Sequence, residues 1–149
     1  MENKIDNIYD EIREILKKNR DAQEGFAKAA ENVRSPALKN YFERKSNDRK
    51  DFNEKLLAEI RNSFPDREIE GSFSGTIHRA WMDFKALFSA DDDKSMLDEV
   101  IRGDKAAIEE YNEVLDYKLL PIGLNHLLSE QRERIITDVR NNATVEDIE

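Results

Sequence analysis

Residues 4–36 read KIDNIYDEIREILKKNRDAQEGFAKAAENVRSP, and the spacing within this stretch decides the fold. Ile5, Ile8, Ile12, Ile15, Asn19, Ala22, Phe26, Ala29 and Val33 follow one another in alternating steps of three and four. That period lays them along one side of an α-helix, predicted over about Lys4 to Val33, and excludes the two-residue alternation of a strand. Asn3, with Asp6 three residues on, can cap the helix start. Arg34 places a positive charge near its end, where the helix dipole favours one. Ser35-Pro36 then supplies an N-cap and a proline at the first helical position, so a second helix begins at once. A connection that short makes the two helices antiparallel.

The same pattern recurs down the chain. The second helix is predicted over about Pro36 to Asn62, with Leu38, Phe42, Lys45, Arg49, Phe52, Leu56 and Ile60 along its seam. Phe64-Pro65 ends it, because a residue before proline is pushed out of helical geometry. Asp66–Ser72 reads as loop, and Ile77, Trp81, Phe84, Leu87 and Phe88 predict a shorter helix over about Ser74 to Ser89. A third long helix is expected from Asp93 to about Lys118, carrying Leu97, Ile101, Asp104, Ile108, Tyr111 and Leu115. Leu120-Pro121 forces another abrupt turn. The fourth helix runs to about Asn142, with Leu124, Leu128, Gln131, Ile135 and Val139. The domain is therefore expected over 1–142, with Ala143–Glu149 as a frayed tail that has no face to bury.

Connection lengths select the topology. Helices one and two are joined tightly, as are three and four, whereas a long segment separates two from three. The second helix spans roughly 38 Å at 1.5 Å per residue. The short Trp81 helix covers roughly 23 Å, and extended residues on either side cover the rest. Two hairpins joined by one long crossover are the ferritin-like arrangement of an all-α four-helix bundle. An alternating bundle capped by the Trp81 helix leaves the length of that segment unexplained. The two halves also echo each other: Asn19, Phe26 and Pro36 recur with identical separations as Asp104, Tyr111 and Pro121. Such matching sets Asn19 and Asp104 at equivalent heights.

Composition agrees with long, surface-charged helices. Of 149 residues, 38% are charged and 38% hydrophobic, with only 5 Gly and 3 Pro. The net charge of −9 repels phosphate backbones and anionic lipid, so neither nucleic acid nor membrane is expected as a partner. The absence of cysteine removes disulfides, iron–sulfur clusters and thiol catalysis. No apolar run is long enough to span a bilayer, and the polar start Met1-Glu2-Asn3-Lys4 does not read as a signal peptide. A cytoplasmic location is expected.

Every long helix carries a polar residue at the middle of its apolar seam: Asn19, Arg49, Asp104 and Gln131. Gln23, Lys45, Ser46 and Arg134 flank this layer. Carboxylate-bridged di-metal bundles have their metal ligands at that height, a Glu on each of two helices and Glu-x-x-His on the other two. Two divalent ions need several carboxylates and neutral imidazoles at short range. Here an amide and two cations stand in their place, and cations repel a metal. Asp104 is the one plausible ligand in the layer, with Glu24 a weaker candidate beside Gly25. The alternative, preferred on ligand type, pairs Arg49 or Lys45 with Asp104 while Asn19 and Gln131 complete the hydrogen bonds. No catalytic residue and no cofactor is expected. Glu130-x-x-Glu133 and Glu109-Glu110 look ligand-like as strings but fall on or beside outward faces. His126 has no second histidine at ligand spacing, and no nucleophile–base constellation or Gly-rich phosphate loop is visible.

Three segments carry a resemblance to a known family. They are Asp21-Ala22-Gln23-Glu24-Gly25-Phe26 with Ala29-Ala30-Glu31; the run Gly71-Ser72-Phe73-Ser74-Gly75-Thr76-Ile77-His78-Arg79-Ala80-Trp81-Met82-Asp83; and Arg102-Gly103-Asp104 with Tyr111. Together they resemble a bacterial family of small ferritin-like four-helix bundles classed as a domain of unknown function. The likeness covers roughly Lys4 to Arg140, and His78, Arg79, Trp81 and Asp83 form its most specific block. It implies a ferritin-like fold and no established activity, cofactor or substrate; some relatives in the wider superfamily are associated with stress. The expected function is a non-enzymatic structural or stress-related module with a metal-free polar core, self-associating as a homodimer or higher homo-oligomer. Two alternatives stand beside it. One is a divergent di-iron or di-manganese protein using Asp104 and Glu24; the other is an adaptor presenting the Trp81 helix to a protein partner.

Overall fold

Ser35 starts the second helix as its place before a proline predicts. Its backbone is extended (φ −71°, ψ 122°), its hydroxyl accepts the Leu38 amide at 3.3 Å, and Pro36 takes the first helical position. In this computed structural model, which describes residues 2–66 and 93–147 and places the side chains of 6–66 and 93–141, four helices are present and no strand occurs among the described residues. They are α1 (Glu2–Asn32), α2 (Pro36–Ser63), α3 (Asp93–Leu115) and α4 (Ile122–Asp147). Phe64 closes α2 with φ −130° and ψ 65°, a conformation that Pro65 imposes, while its amide still reaches Ile60 O at 2.7 Å. The short helix expected over 74–89, and with it His78, Arg79, Trp81 and Asp83, lies outside the described residues.

The ends of the helices fix their directions. At one end the Asp93 carboxylate, the first residue of α3, accepts the backbone amides of Arg34 at 2.9 Å and Ser35 at 2.8 Å. The start of α3 therefore sits against the α1–α2 turn. At the other end the Phe64 ring meets Tyr9 of α1 edge-on, with centroids 5.6 Å apart, and Glu59 of α2 reaches Gly123 in the first turn of α4. The α2 and α3 helices consequently run the same way, and the connection between them joins opposite ends of the bundle. In cross-section α1 touches α2 and α3, and α4 touches α3 and α2, so α2 and α3 stand on a diagonal. The α1–α3 contact is the sparsest of the four.

Among the described residues two apolar clusters fill the interior. One gathers Ile8, Ile12, Leu56, Ile60, Leu124 and Leu128 with their neighbours near the α3–α4 turn. The other gathers Phe26, Ala29, Leu38, Phe42, Met96 and Leu97 near the α1–α2 turn. The predicted seam of α2 is identical to its buried residues. On α1 the buried stripe also takes in Tyr9, Leu16 and Ala30, because a helix that packs on two neighbours buries more than a single seam. The α3 helix is rotated from the expected face: Met96, Val100 and Val114 are buried, while Ile101, Ile108 and Leu115 are half-buried. On α4, Asp138 is buried and Val139 half-buried. Its helical backbone runs on to Asp147, past the expected end near Asn142 and into the segment expected to fray. No glycine or proline stands there to stop it.

The candidate site: a buried layer of charges and an adjoining cavity

Between the two apolar clusters every helix contributes polar side chains to one layer. Asn19, Lys45, Arg49, Asp104, Gln131 and Asp138 are all buried there. Lys45 and Arg49 come from successive turns of α2 and point inward because they occupy its seam. The Lys45 ammonium donates to Asp104 Oδ2 at 2.5 Å and to Asp138 Oδ2 at 3.1 Å. Arg49 Nη2 donates to the other oxygen of Asp104 at 2.7 Å. Arg44 Nη2 donates to the other oxygen of Asp138 at 2.7 Å. Each carboxylate thus has a cation on both oxygens. Arg44 carries the chain outward to Asp48 at 2.6 Å, which also accepts from Arg134 Nε at 3.2 Å.

A neutral branch runs the other way. Arg49 Nη1 lies 3.5 Å from Asn19 Oδ1, and Asn19 Nδ2 donates to the Tyr111 hydroxyl at 3.1 Å. Tyr111 donates in turn to Gln131 Oε1 at 2.8 Å, and Gln131 Nε2 to the Phe52 carbonyl at 3.1 Å. A buried polar group left without a partner costs roughly 1–3 kcal/mol, and this chain satisfies its members in sequence. The Phe26 ring lies against both cations, its centroid 4.9 Å from Lys45 Nζ and 5.4 Å from the Arg49 guanidinium carbon; such contacts favour the charged forms.

Ionisation follows from this packing. Burial alone would raise the Asp138 pKa, but Lys45 and Arg44 outweigh it and hold the carboxyl below its ordinary range. Burial pushes the Tyr111 hydroxyl up to about 12, against the opposing effects of the Asn19 hydrogen bond and the Arg49 charge. Tyr41 is raised too, by burial and then by the negative charges of Asp104 and Asp138. Both phenols remain neutral at physiological pH and serve as hydrogen-bonding or packing groups.

Of the residues singled out from sequence, Asn19, Lys45, Arg49, Asp104 and Gln131 converge in this layer. Gln23 is half-buried rather than part of this layer, and its backbone carbonyl accepts Ser46 Oγ at 2.8 Å. Glu24 is exposed, apart from the buried Asp104. Glu133 is exposed as well, and His126, also exposed, pairs with Glu130 one turn on at 2.9 Å. Among the described residues no three His, Asp or Glu side chains converge on a point where a metal ion would sit. Asp138 was missed. It continues the series Gln131, Ile135, Asp138 at helical spacing, and two buried cations facing one carboxylate already demanded a second.

Beside the layer, between α1 and α3, lies a cavity of about 280 Å³. Ile15, Ala22 and Phe26 line one side, Val100 and Ala107 the other, with Gly25 and Gly103 at the walls. Asn19, Arg49, Asp104 and Tyr111 contribute from the polar layer, and Lys18, Asp21, Glu99 and Glu110 are also in the lining. No described helix is long and apolar enough to cross a membrane.

No curated protein matches the chain. A family profile matches residues 7–117, which takes in α1, α2 and α3 with Asn19, Lys45, Arg49, Asp104 and Tyr111, and stops short of Gln131 and Asp138 on α4. With that match over most of its length, the chain belongs to the family described as a domain of unknown function, DUF2383.

Proposed function

We propose that this chain is a ferritin-like helical module of bacterial, cytoplasmic type whose central layer is structural and holds no metal, and that its role is non-enzymatic and stress-related. The single observation that carries the reading is the double engagement of each interior carboxylate. All four oxygens of Asp104 and Asp138 already face Lys45, Arg49 or Arg44. A metal ion would have to displace those cations, and breaking one side of a buried pair costs about 3–5 kcal/mol. The shared direction of α2 and α3, with one long connection between two hairpins, supports the ferritin-like reading. In that comparison the polar layer takes the height at which di-metal relatives of the fold hold their ligands, and an internal salt bridge replaces the ions.

Elemental analysis of protein produced in iron- and manganese-supplemented medium tests the metal-free layer. The expected content is far below one ion per chain; near-stoichiometric iron or manganese overturns the reading. The structural role has its own measurement. Asp104→Leu is expected to lower unfolding free energy by about 3–5 kcal/mol, because Arg49 then loses the carboxylate it donates to and Lys45 keeps Asp138 alone. Adding Lys45→Met removes one of those cations, so the double variant should lose less than the two single losses combined. A negligible effect of Asp104→Leu in urea titrations would contradict the assignment.

A further inference from the structure

We propose that the cavity between α1 and α3 is a binding site for a small uncharged molecule with an apolar body and one acceptor oxygen, which the Arg49 guanidinium meets at the floor. This stands independently of the metal-free reading above. The space exists because the layer holds the two helices apart: Asn19 and Tyr111 bridge them at 3.1 Å, while small residues wall the opening beside that bridge. A Cβ built on Gly103 would meet no atom within 4 Å. An apolar cavity of roughly 150 Å³ suffices for benzene, so about 280 Å³ has room for a fused two-ring compound.

Charge narrows the class. Five charged side chains of the lining are in ion pairs, Lys18 with Glu110 at 2.6 Å and Arg49 with Asp104 at 2.7 Å, while Glu99 is held by Arg102. At the floor an organic cation would meet Arg49, and an anion would meet Asp104 beside it. A neutral molecule avoids both penalties. One polar preference remains. A guanidinium offers five N–H donors in a fixed fork; Arg49 places Nη2 on Asp104, while Nη1 reaches Asn19 only at 3.5 Å. A carbonyl or hydroxyl oxygen at the floor would give Nη1 a shorter partner. The result is the usual make-up of a small-molecule pocket, mostly apolar walls and a few placed polar groups.

Titration of the full chain with 1-indanone, indane and indane-2-carboxylate, followed by NMR shifts, tests this. Saturable binding of indanone is expected, about two- to tenfold tighter than indane, the difference one hydrogen bond supplies. The carboxylate is expected not to bind. Ala107→Leu fills the cavity and should abolish the shifts; Gly103→Leu, whose added side chain has free space, replaces it should the first variant fail to fold. Arg49→Lys should erase the preference for indanone over indane. Absence of saturable binding overturns the proposal, as it would if another part of the chain or a second copy occupied the groove. Binding that survives the filling variants, or tighter binding of the carboxylate, overturns it equally.

Discussion

Lys45 lies 3.1 Å from one oxygen of Asp138 and Arg44 lies 2.7 Å from the other, and these two cations reverse the rise in pKa that burial would cause. The direction of that shift sets a pH dependence. With the folded-state value depressed, acid protonates the unfolded chain first. The contribution of Asp138 is complete above the ordinary carboxylate value of about 3.9 and is lost as pH falls from there through the folded value. Asp138→Asn is therefore expected to be less stable than the parent at neutral pH and to lose less on going from pH 6 to pH 3. Urea titrations across that range check it; parallel curves for the two proteins would refute the linkage. At this scale the sequence exposed Asn19, Lys45, Arg49, Asp104 and Gln131, because each interrupts an otherwise apolar seam. It concealed Asp138, which sits one residue before Val139, so that either could have faced inward until α4 was rotated against its neighbours.

Helix starts rest on local chemistry and were correspondingly legible, whereas the ends of α3 and α4 were read less closely. Ser35 caps α2 through its hydroxyl, and Ser35→Ala should cost about 1 kcal/mol, measured as a lower urea midpoint with an unchanged slope. The backbone amide of Ser35 keeps its bond to Asp93 in that variant, so a loss well beyond about 2 kcal/mol would mean the hydroxyl does more than cap. The seam of α2 was read without error: its buried positions follow a single run of three- and four-residue steps from Leu38 to Ile60. The rotation of α3 was not legible. Its sequence offers Met96, Val100 and Val114 on one side and Ile101, Ile108 and Leu115 on the other, two apolar stripes of similar strength. Packing against α1 and α4 chooses between them.

For the whole molecule the decisive feature is that α2 and α3 point the same way. An exposed pair at one end, Asn40 and Lys94, should therefore be close, whereas Asn62 and Lys94 should be about 40 Å apart, the length of α2 at 1.5 Å per residue. Spin labels at these positions distinguish the two arrangements: in an alternating bundle Asn62 and Lys94 would be the near pair. Two tight turns and one long connection were enough to expect this from sequence, since a long segment is needed only where the helices it joins begin and end at opposite ends. What the sequence by itself determined is the four long helices, their antiparallel pairing across Ser35-Pro36 and Leu120-Pro121, and the presence of a polar layer at mid-height. These follow from short-range periodicity and from proline geometry. Only the tertiary structure decided that Asp138 joins Asp104 in neutralising the buried cations, and that α1 and α3 stand far enough apart to leave a cavity. Ion pairing and helix separation depend on the rotation and spacing of helices far apart in the chain, and residue spacing along one helix carries no record of either.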